Sequence, residues 1–204
     1  MKKIVFINLF ILALFSQALG QGYVVGDKAE NFKLKNVDGE YISLYNYTPA
    51  EKGAIVIFTC NHCPYAIAYE DRIIETDQKF RSKGYPVIAI NPNDPELVPE
   101  DSFEKMQVRA REKSFPYPYL LDKTQEVYKM YGAKRTPHVY LLNKENGDFM
   151  VSYIGTIDDN YKDASAVEKQ YLDDAVTALL NGDKPNPDFT KAIGCTIKDK
   201  NYKK

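Results

Sequence analysis

Cys60 and Cys63 are separated by Asn61 and His62, followed by Pro64, and preceded by an apolar run that begins at Ile55. Two cysteines at this spacing, where a strand hands over to a helix, can close a small disulfide ring whose first sulfur receives the field of the helix amides. The chemistry this suggests is thiol-disulfide exchange. A Cys60 thiolate attacks a substrate disulfide, a mixed disulfide forms, and Cys63 releases the reduced substrate by internal exchange. In the other direction a substrate thiol attacks the disulfide of the pair. The motif supplies both routes and does not choose between them.

Asn61, His62 and Pro64 are the positions that tune such a pair. An imidazole between the cysteines can donate a hydrogen bond to the Cys60 thiolate or place positive charge beside it, which lowers the thiol pKa and makes the disulfide more oxidising. The plainer reading of His62 is a solvent-facing turn residue. Pro64 fits the first turn of the following helix, where its missing amide donor costs little. Zinc is a competing use of Cys60, His62 and Cys63, but a closed structural site usually takes four ligands, and His138 and Cys195 are each isolated in sequence. A merely structural disulfide is the third reading. No metal and no cofactor is expected.

Three segments carry a wider resemblance: Gly26-Asp27-Lys28-Ala29-Glu30-Asn31-Phe32, Phe58-Thr59-Cys60-Asn61-His62-Cys63-Pro64-Tyr65, and Tyr131-Gly132-Ala133-Lys134-Arg135-Thr136-Pro137. With these the chain resembles the thioredoxin-like superfamily, more closely its redoxin and peroxiredoxin-like branch, the alkyl hydroperoxide reductase/thiol-specific antioxidant grouping. The resemblance implies an α/β three-layer sandwich with a central mixed sheet, helices on both faces and an N-terminal β-hairpin extension. It also implies a cis Pro137 against a Cys60–Cys63 disulfide, with the Thr136 backbone presenting donor and acceptor groups to an extended substrate. Tyr65 and the residues beside Pro137 are the candidates for a shallow substrate groove, and at least one sulfur edge is expected to be exposed.

The chain departs from the family patterns in ways that matter for activity. No Trp precedes Cys60, Asn61-His62 replaces the usual Gly-Pro of thioredoxins, and Ala54 to Thr59 contains no carboxylate to act as a buried proton acceptor. A water, His62 or a carboxylate from elsewhere has to fill that role. Family peroxiredoxins support their peroxidatic cysteine with a threonine three residues earlier and a separate arginine. Here Cys60 holds the threonine position relative to Cys63, and Ile57 holds it relative to Cys60, which weakens a thiol peroxidase reading; Arg135 is a candidate for the arginine. The expectation is therefore an exported thiol-disulfide oxidoreductase, with a thiol peroxidase or a disulfide-stabilised binding module as alternatives.

At 204 residues the chain can bury a substantial core, and its net charge of -1 argues against electrostatic capture of nucleic acid. Partners are expected to be protein or small-molecule disulfides and thiols, with an external redox donor or acceptor. Lys2 and Lys3, the apolar run Ile4 to Phe15, and Ala18-Leu19-Gly20 have the order of a secretory signal over residues 1–20, and the run is short for a membrane span. A retained anchor or a buried N-terminal helix are the alternatives. Residues 21–204 are then one thioredoxin-like domain in the periplasm or otherwise exported, where disulfides persist. Cys195, in Gly194-Cys195-Thr196-Ile197-Lys198, makes the cysteine count odd: it is a buried thiol, a link to another molecule, or an additional redox participant.

The elements that must position these residues follow from periodicity. Phe32-Lys33-Leu34 and Tyr41-Ile42-Ser43-Leu44 alternate around a turn at Val37-Asp38-Gly39-Glu40, which predicts a hairpin. Tyr45 to Gly53 is a polar connection, and Ala54 to Phe58 a strand covered on both faces. A helix from Pro64 toward Lys83-Gly84 uses Tyr65, Ile67, Ala68, Ile73 and Ile74 as apolar positions and sets Glu70, Asp71, Arg72 and Glu75 toward water. Val87 to Ile90 is the next strand and 91–100 a loop. Asp101-Ser102 can cap a helix toward Lys113, Tyr117 to Leu121 is extended, and Asp122 or Thr124 can start a helix through Tyr131 that Gly132 ends. His138 to Leu142 and Phe149 to Ile154 form a hairpin, and Val167, Tyr171, Ala175 and Leu179 mark a last amphipathic helix.

Overall fold

The computed structural model describes residues 22–47 and 52–202, so the expected leader over 1–20 lies outside the described residues. The expected hairpin is present as β1 (Lys33–Asn36) and β2 (Tyr41–Ser43), and a single helical turn, α1 (Leu44–Tyr47), opens what the sequence marks as a polar connection. Next come β3 (Gly53–Phe58), α2 (Pro64–Phe80), β4 (Val87–Asn91), α3 (Phe103–Glu112), β5 (Tyr119–Leu121) and α4 (Val127–Tyr131). The chain continues through β6 (Arg135–Thr136), β7 (His138–Glu145), β8 (Asp148–Gly155), α5 (Tyr171–Leu180) and β9 (Cys195–Thr196). Seven strands form one mixed sheet in the order β2-β1-β5-β4-β3-β7-β8, and β6 pairs with β9 apart from it.

This is the thioredoxin-like α/β sandwich, and the sequence of β3 shows why. Ile55 and Ile57 face one side, among Tyr69, Ile73, Val139 and Leu172, while Val56 and Phe58 face the other, among Ile88, Tyr131 and Tyr140. Side chains alternate along a strand, so a run that is apolar at every position needs a core on both faces. β3 runs parallel to β4 and antiparallel to β7, with Phe58 opposite Ile90 and His138. This register brings the carboxyl end of β3, the loop after β4 and the start of β7 to one end of the sheet, a common location for sites in open α/β folds.

Several boundaries move, each for a local reason. α2 ends at Phe80 and tightens into a 3-10 turn over Arg81–Lys83, after which Gly84 takes φ 94°, the left-handed conformation that ends helices. α4 begins only at Val127, because the Asp122 carboxylate accepts from Tyr128 N–H at 2.8 Å across a turn rather than capping a longer helix. The β7–β8 strands run longer than expected and close through Asn146 and Gly147, both with positive φ, the pattern of a two-residue hairpin. Glu70 does not face water: it is buried, and Arg109 Nε and Nη2 each lie 2.6 Å from its two oxygens. The α5 stripe centres on Leu172, Ala175 and Val176, with the expected Tyr171 and Leu179 packed at its edges, while Val167 precedes the helix.

Candidate active site

The site starts where β3 ends. Thr59 N–H still bonds Ile90 O at 2.9 Å, the chain turns through Cys60-Asn61-His62, and α2 begins at Pro64 with Ile67 N–H donating to Cys63 O at 2.9 Å. Asn61 pins this turn from three directions. Its backbone N–H donates to Asp101 Oδ1 (2.7 Å), its Nδ2 donates to Glu100 O (2.8 Å), and its Oδ1 accepts from Tyr119 OH (2.9 Å).

The pairing of the sulfurs differs from the sequence expectation. Cys63 is bonded to Cys195, with Cα atoms 6.0 Å apart, and Cys60 is a free thiol. The Cα separation is ordinary for a disulfide. The cause is topological: β9 pairs antiparallel with β6, setting Cys195 opposite Thr136 and Thr196 opposite Arg135, and this carries the tail sulfur to Cys63. A sequence separation of 132 residues hides such a meeting from periodicity. Cys195 is thus neither a buried free thiol nor a link to a second molecule in this structure.

Thr136 touches all three cysteines. Its Oγ1 lies 3.2 Å from Cys60 Sγ, its carbonyl oxygen lies 3.2 Å from Cys63 Sγ, and its backbone is in register with Cys195. The Thr136–Pro137 peptide bond is cis, as the resemblance implies. The strand edge expected to receive an extended substrate is occupied by the chain's own β9. Gly194 makes that approach possible, because a Cβ there would fall 2.2 Å from Thr136 O. Cys60 is 2% exposed and Cys63 0% exposed, against the expectation of an open sulfur edge. The cavity lined by Thr59, Cys60, Glu70 and Tyr119 measures only about 10 Å³. Tyr65, partly buried, packs its ring on Tyr161 at 4.1 Å, on the helix side of the motif.

His62 has a partner that the sequence does not announce. Its Nδ1 lies 2.7 Å from Asp101 Oδ2, and Asp101 also accepts from Asn93 Nδ2 at 2.7 Å. The hydrogen bond to Asp101, then the one to Cys60, raise His62 from its ordinary value to about 10, overcoming the opposing effect of burial. The ring is therefore an imidazolium at neutral pH, placed between a buried carboxylate and the Cys60 sulfur. Asp101 sets a buried carboxylate at this end of β3, where the strand's own sequence has none. It was readable only as half of a cap, and the cap turns out to be Ser102, whose Oγ accepts from Lys105 N–H at 3.4 Å. The available signal was its position: the loop after β4 returns to the same end of the sheet as Cys60.

His138 takes no part in this group. It is buried beside Tyr140, its Nδ1 accepts from Lys134 N–H at 3.3 Å, and desolvation, with Lys134 nearby, lowers it to about 4. One donor trio among the described residues could approach a metal ion: Cys60, His62 and Asp101, whose ligand atoms lie within 4.8 Å of one another. Three donors fall one short of a closed tetrahedral zinc set, and both carboxylate oxygens already accept hydrogen bonds. Within the trio, His62 Nδ1 is hydrogen-bonded to Asp101 and Cys60 Sγ lies against Thr136 Oγ1. Among the described residues no helix is long and apolar enough to cross a membrane.

A thioredoxin fold that gathers cysteines at the end of its central strand, against a cis-proline segment, defines a redox protein with a cysteine pair capable of forming a disulfide. Comparison with known proteins agrees. The chain belongs to the AhpC/TSA family, whose sequence model matches residues 25–159. A curated relative, the thiol-disulfide oxidoreductase ResA of Halalkalibacterium halodurans, is 26% identical over 165 residues, covering 76% of this chain and 88% of its own. Among solved structures, an uncharacterized conserved protein from Geobacillus kaustophilus is 35% identical with a TM-score of 0.79, covering 90% of this chain and 96% of its own. A hypothetical protein from Sinorhizobium meliloti is 27% identical with a TM-score of 0.81 and covers 90% and 98% of the two chains.

Proposed function

We propose that this protein is an exported thiol-disulfide oxidoreductase in which Cys60 is the attacking thiol and Cys63 the resolving one. The observation that carries this reading is the Cys60 sulfur held against Thr136 Oγ1, with the His62–Asp101 pair behind it and a disulfide of Cys63 in the same cluster. A positive imidazolium stabilises negative charge on sulfur, both as Cys60 attacks and as it leaves a mixed disulfide. Asn61 and Pro64 hold the turn that sets this distance, Thr136 and Pro137 lie buried beside the sulfurs, and Tyr65 flanks the motif on the helix side. Export follows from the leader-like residues 1–20, and the partners are disulfides or thiols of proteins or small molecules with an external redox donor or acceptor. The curated relatives named as thiol-disulfide oxidoreductases support the same chemistry.

A thiol peroxidase is the second reading, favoured by the bond between Cys63 and a cysteine distant in sequence. Against it, Cys60 stands where a peroxidatic cysteine would need its threonine. The Arg135 guanidinium donates to Thr196 Oγ1 at 2.7 Å rather than serving a sulfur. Disulfide exchange with a model peptide should disappear in Cys60→Ser, and Cys63→Ser should accumulate a mixed disulfide on Cys60. Exchange at the wild-type rate without Cys60, or hydrogen peroxide consumption with a sulfenic acid on Cys63, would replace the oxidoreductase reading.

A further inference from the structure

The tail is held at the site by far more than its disulfide. Arg135 donates to Thr196, Ile197 is buried in the core, and Lys198 bonds through its N–H to Asn93 Oδ1 (2.8 Å) and through its carbonyl to Asp94 N–H (2.8 Å). Tyr128 OH donates to Asp199 Oδ2 at 2.6 Å. Gly194 allows the tail backbone to lie on Thr136. None of these contacts uses a sulfur, so packing by itself presents Cys195 to Cys63 at high effective concentration.

The three sulfurs also differ in access. Cys60 and Cys63 are buried, whereas Cys195 is partly exposed. A disulfide between Cys60 and Cys63 joins two buried sulfurs. The same oxidation carried as Cys63–Cys195 has one sulfur near the surface and leaves Cys60 free, which is the arrangement in this structure.

Resting on the assignment of Cys60 as the attacking thiol, we propose that Cys195 is a third exchange residue that moves the disulfide from Cys60–Cys63 to Cys63–Cys195. The Cys195 thiolate attacks Cys63 Sγ, the Cys60–Cys63 bond breaks, the Cys63–Cys195 bond forms, and Cys60 leaves as a thiolate. No electrons are gained or lost, and the proton given up by Cys195 balances the one Cys60 can take. His62 assists as a positioning residue, because its imidazolium lies beside the departing sulfur and a stabilised thiolate leaves faster. A dithiol reductant then attacks the more accessible Cys195 sulfur, the Cys63–Cys195 bond breaks with Cys63 leaving as a thiolate, and the reductant's second thiol frees Cys195 as the reductant is oxidised to its own disulfide.

The test is time-resolved mapping. Fully reduced protein is mixed with oxidised glutathione, quenched in acid at intervals, alkylated and analysed by peptide mass. Wild type should show glutathione on Cys60, then a Cys60–Cys63 peptide, then a Cys63–Cys195 peptide with Cys60 alkylated. Cys195→Ser should stop at Cys60–Cys63, with loss of the later species. The relay is overturned if wild type ends at Cys60–Cys63 with Cys195 alkylated, or if Cys63–Cys195 appears before any linkage at Cys60. Cys60→Ser separates the two levels. Loss of exchange in that variant, together with a wild type that ends at Cys60–Cys63, removes only the tail step, whereas unchanged exchange removes the oxidoreductase reading as well.

Discussion

His62 Nδ1 lies 2.7 Å from Oδ2 of Asp101, a residue with 0% of its surface exposed, so one charged pair joins the cysteine turn to the loop after β4. The pairing raises His62 to about 10, above its unfolded value of 6.5. A group whose folded value is raised stabilises the native state fully below the unfolded value and loses that contribution as pH rises through the folded one. Stability of the disulfide form should therefore decline between about pH 6.5 and pH 10. Denaturant midpoints across this window should fall in wild type and stay nearly level in His62→Gln; parallel profiles for the two proteins would show that the pair is not charged as described.

The other histidine acts at the opposite end. Burial, aided by Lys134, lowers His138 to about 4, so its neutral form is the one the fold accepts. The associated stability is present above the unfolded value of 6.5 and is lost as pH falls toward 4. His138→Gln should flatten the acid side of the stability profile while leaving the alkaline side as in wild type. An unchanged acid limb in the variant would assign that limb to carboxylates instead.

Asp101 holds Asn61, His62 and Asn93 at once, and Asn93 in turn holds the tail at Lys198. Removing a buried carboxylate leaves those donors unpaired, and losing one partner of a buried charged pair costs about 3 kcal/mol. Asp101→Ala should lower unfolding free energy by roughly that amount, and it should also speed alkylation of Cys195 in the reduced protein. A loss below about 1 kcal/mol, the scale of an exposed pair, would mean that water replaces these bonds.

The contrast between what the sequence disclosed and what it concealed is physical. β3, β4 and the β7–β8 hairpin were legible because burial on both faces demands unbroken apolar runs, and the cysteine motif because its spacing has few other uses. Glu70 departs from its expected place because helical periodicity reports where a polar residue stands, not whether an arginine on another helix will neutralise it; Arg109 does so from α3. Asp101 and Cys195 were hidden for a related reason. Each acts through a partner reached by sheet topology, across 39 residues for His62 and 132 for Cys63.

Gly194 sets how firmly the tail sulfur is presented. An added Cβ would fall 2.2 Å from Thr136 O and 3.1 Å from Pro137 N, both backbone atoms that cannot swing aside as a long side chain would. Gly194→Ala should therefore push β9 away from β6 while leaving the sheet and the His62–Asp101 pair in place. The Cys63–Cys195 bond depends on that closeness, so its equilibrium against glutathione should shift toward the thiols, by about tenfold for each 1.4 kcal/mol of lost packing. The melting of the fully reduced variant distinguishes this from general damage, since the main core does not include Gly194. A glutathione equilibrium identical to wild type would show that the tail reaches Cys63 without the close contact at Thr136.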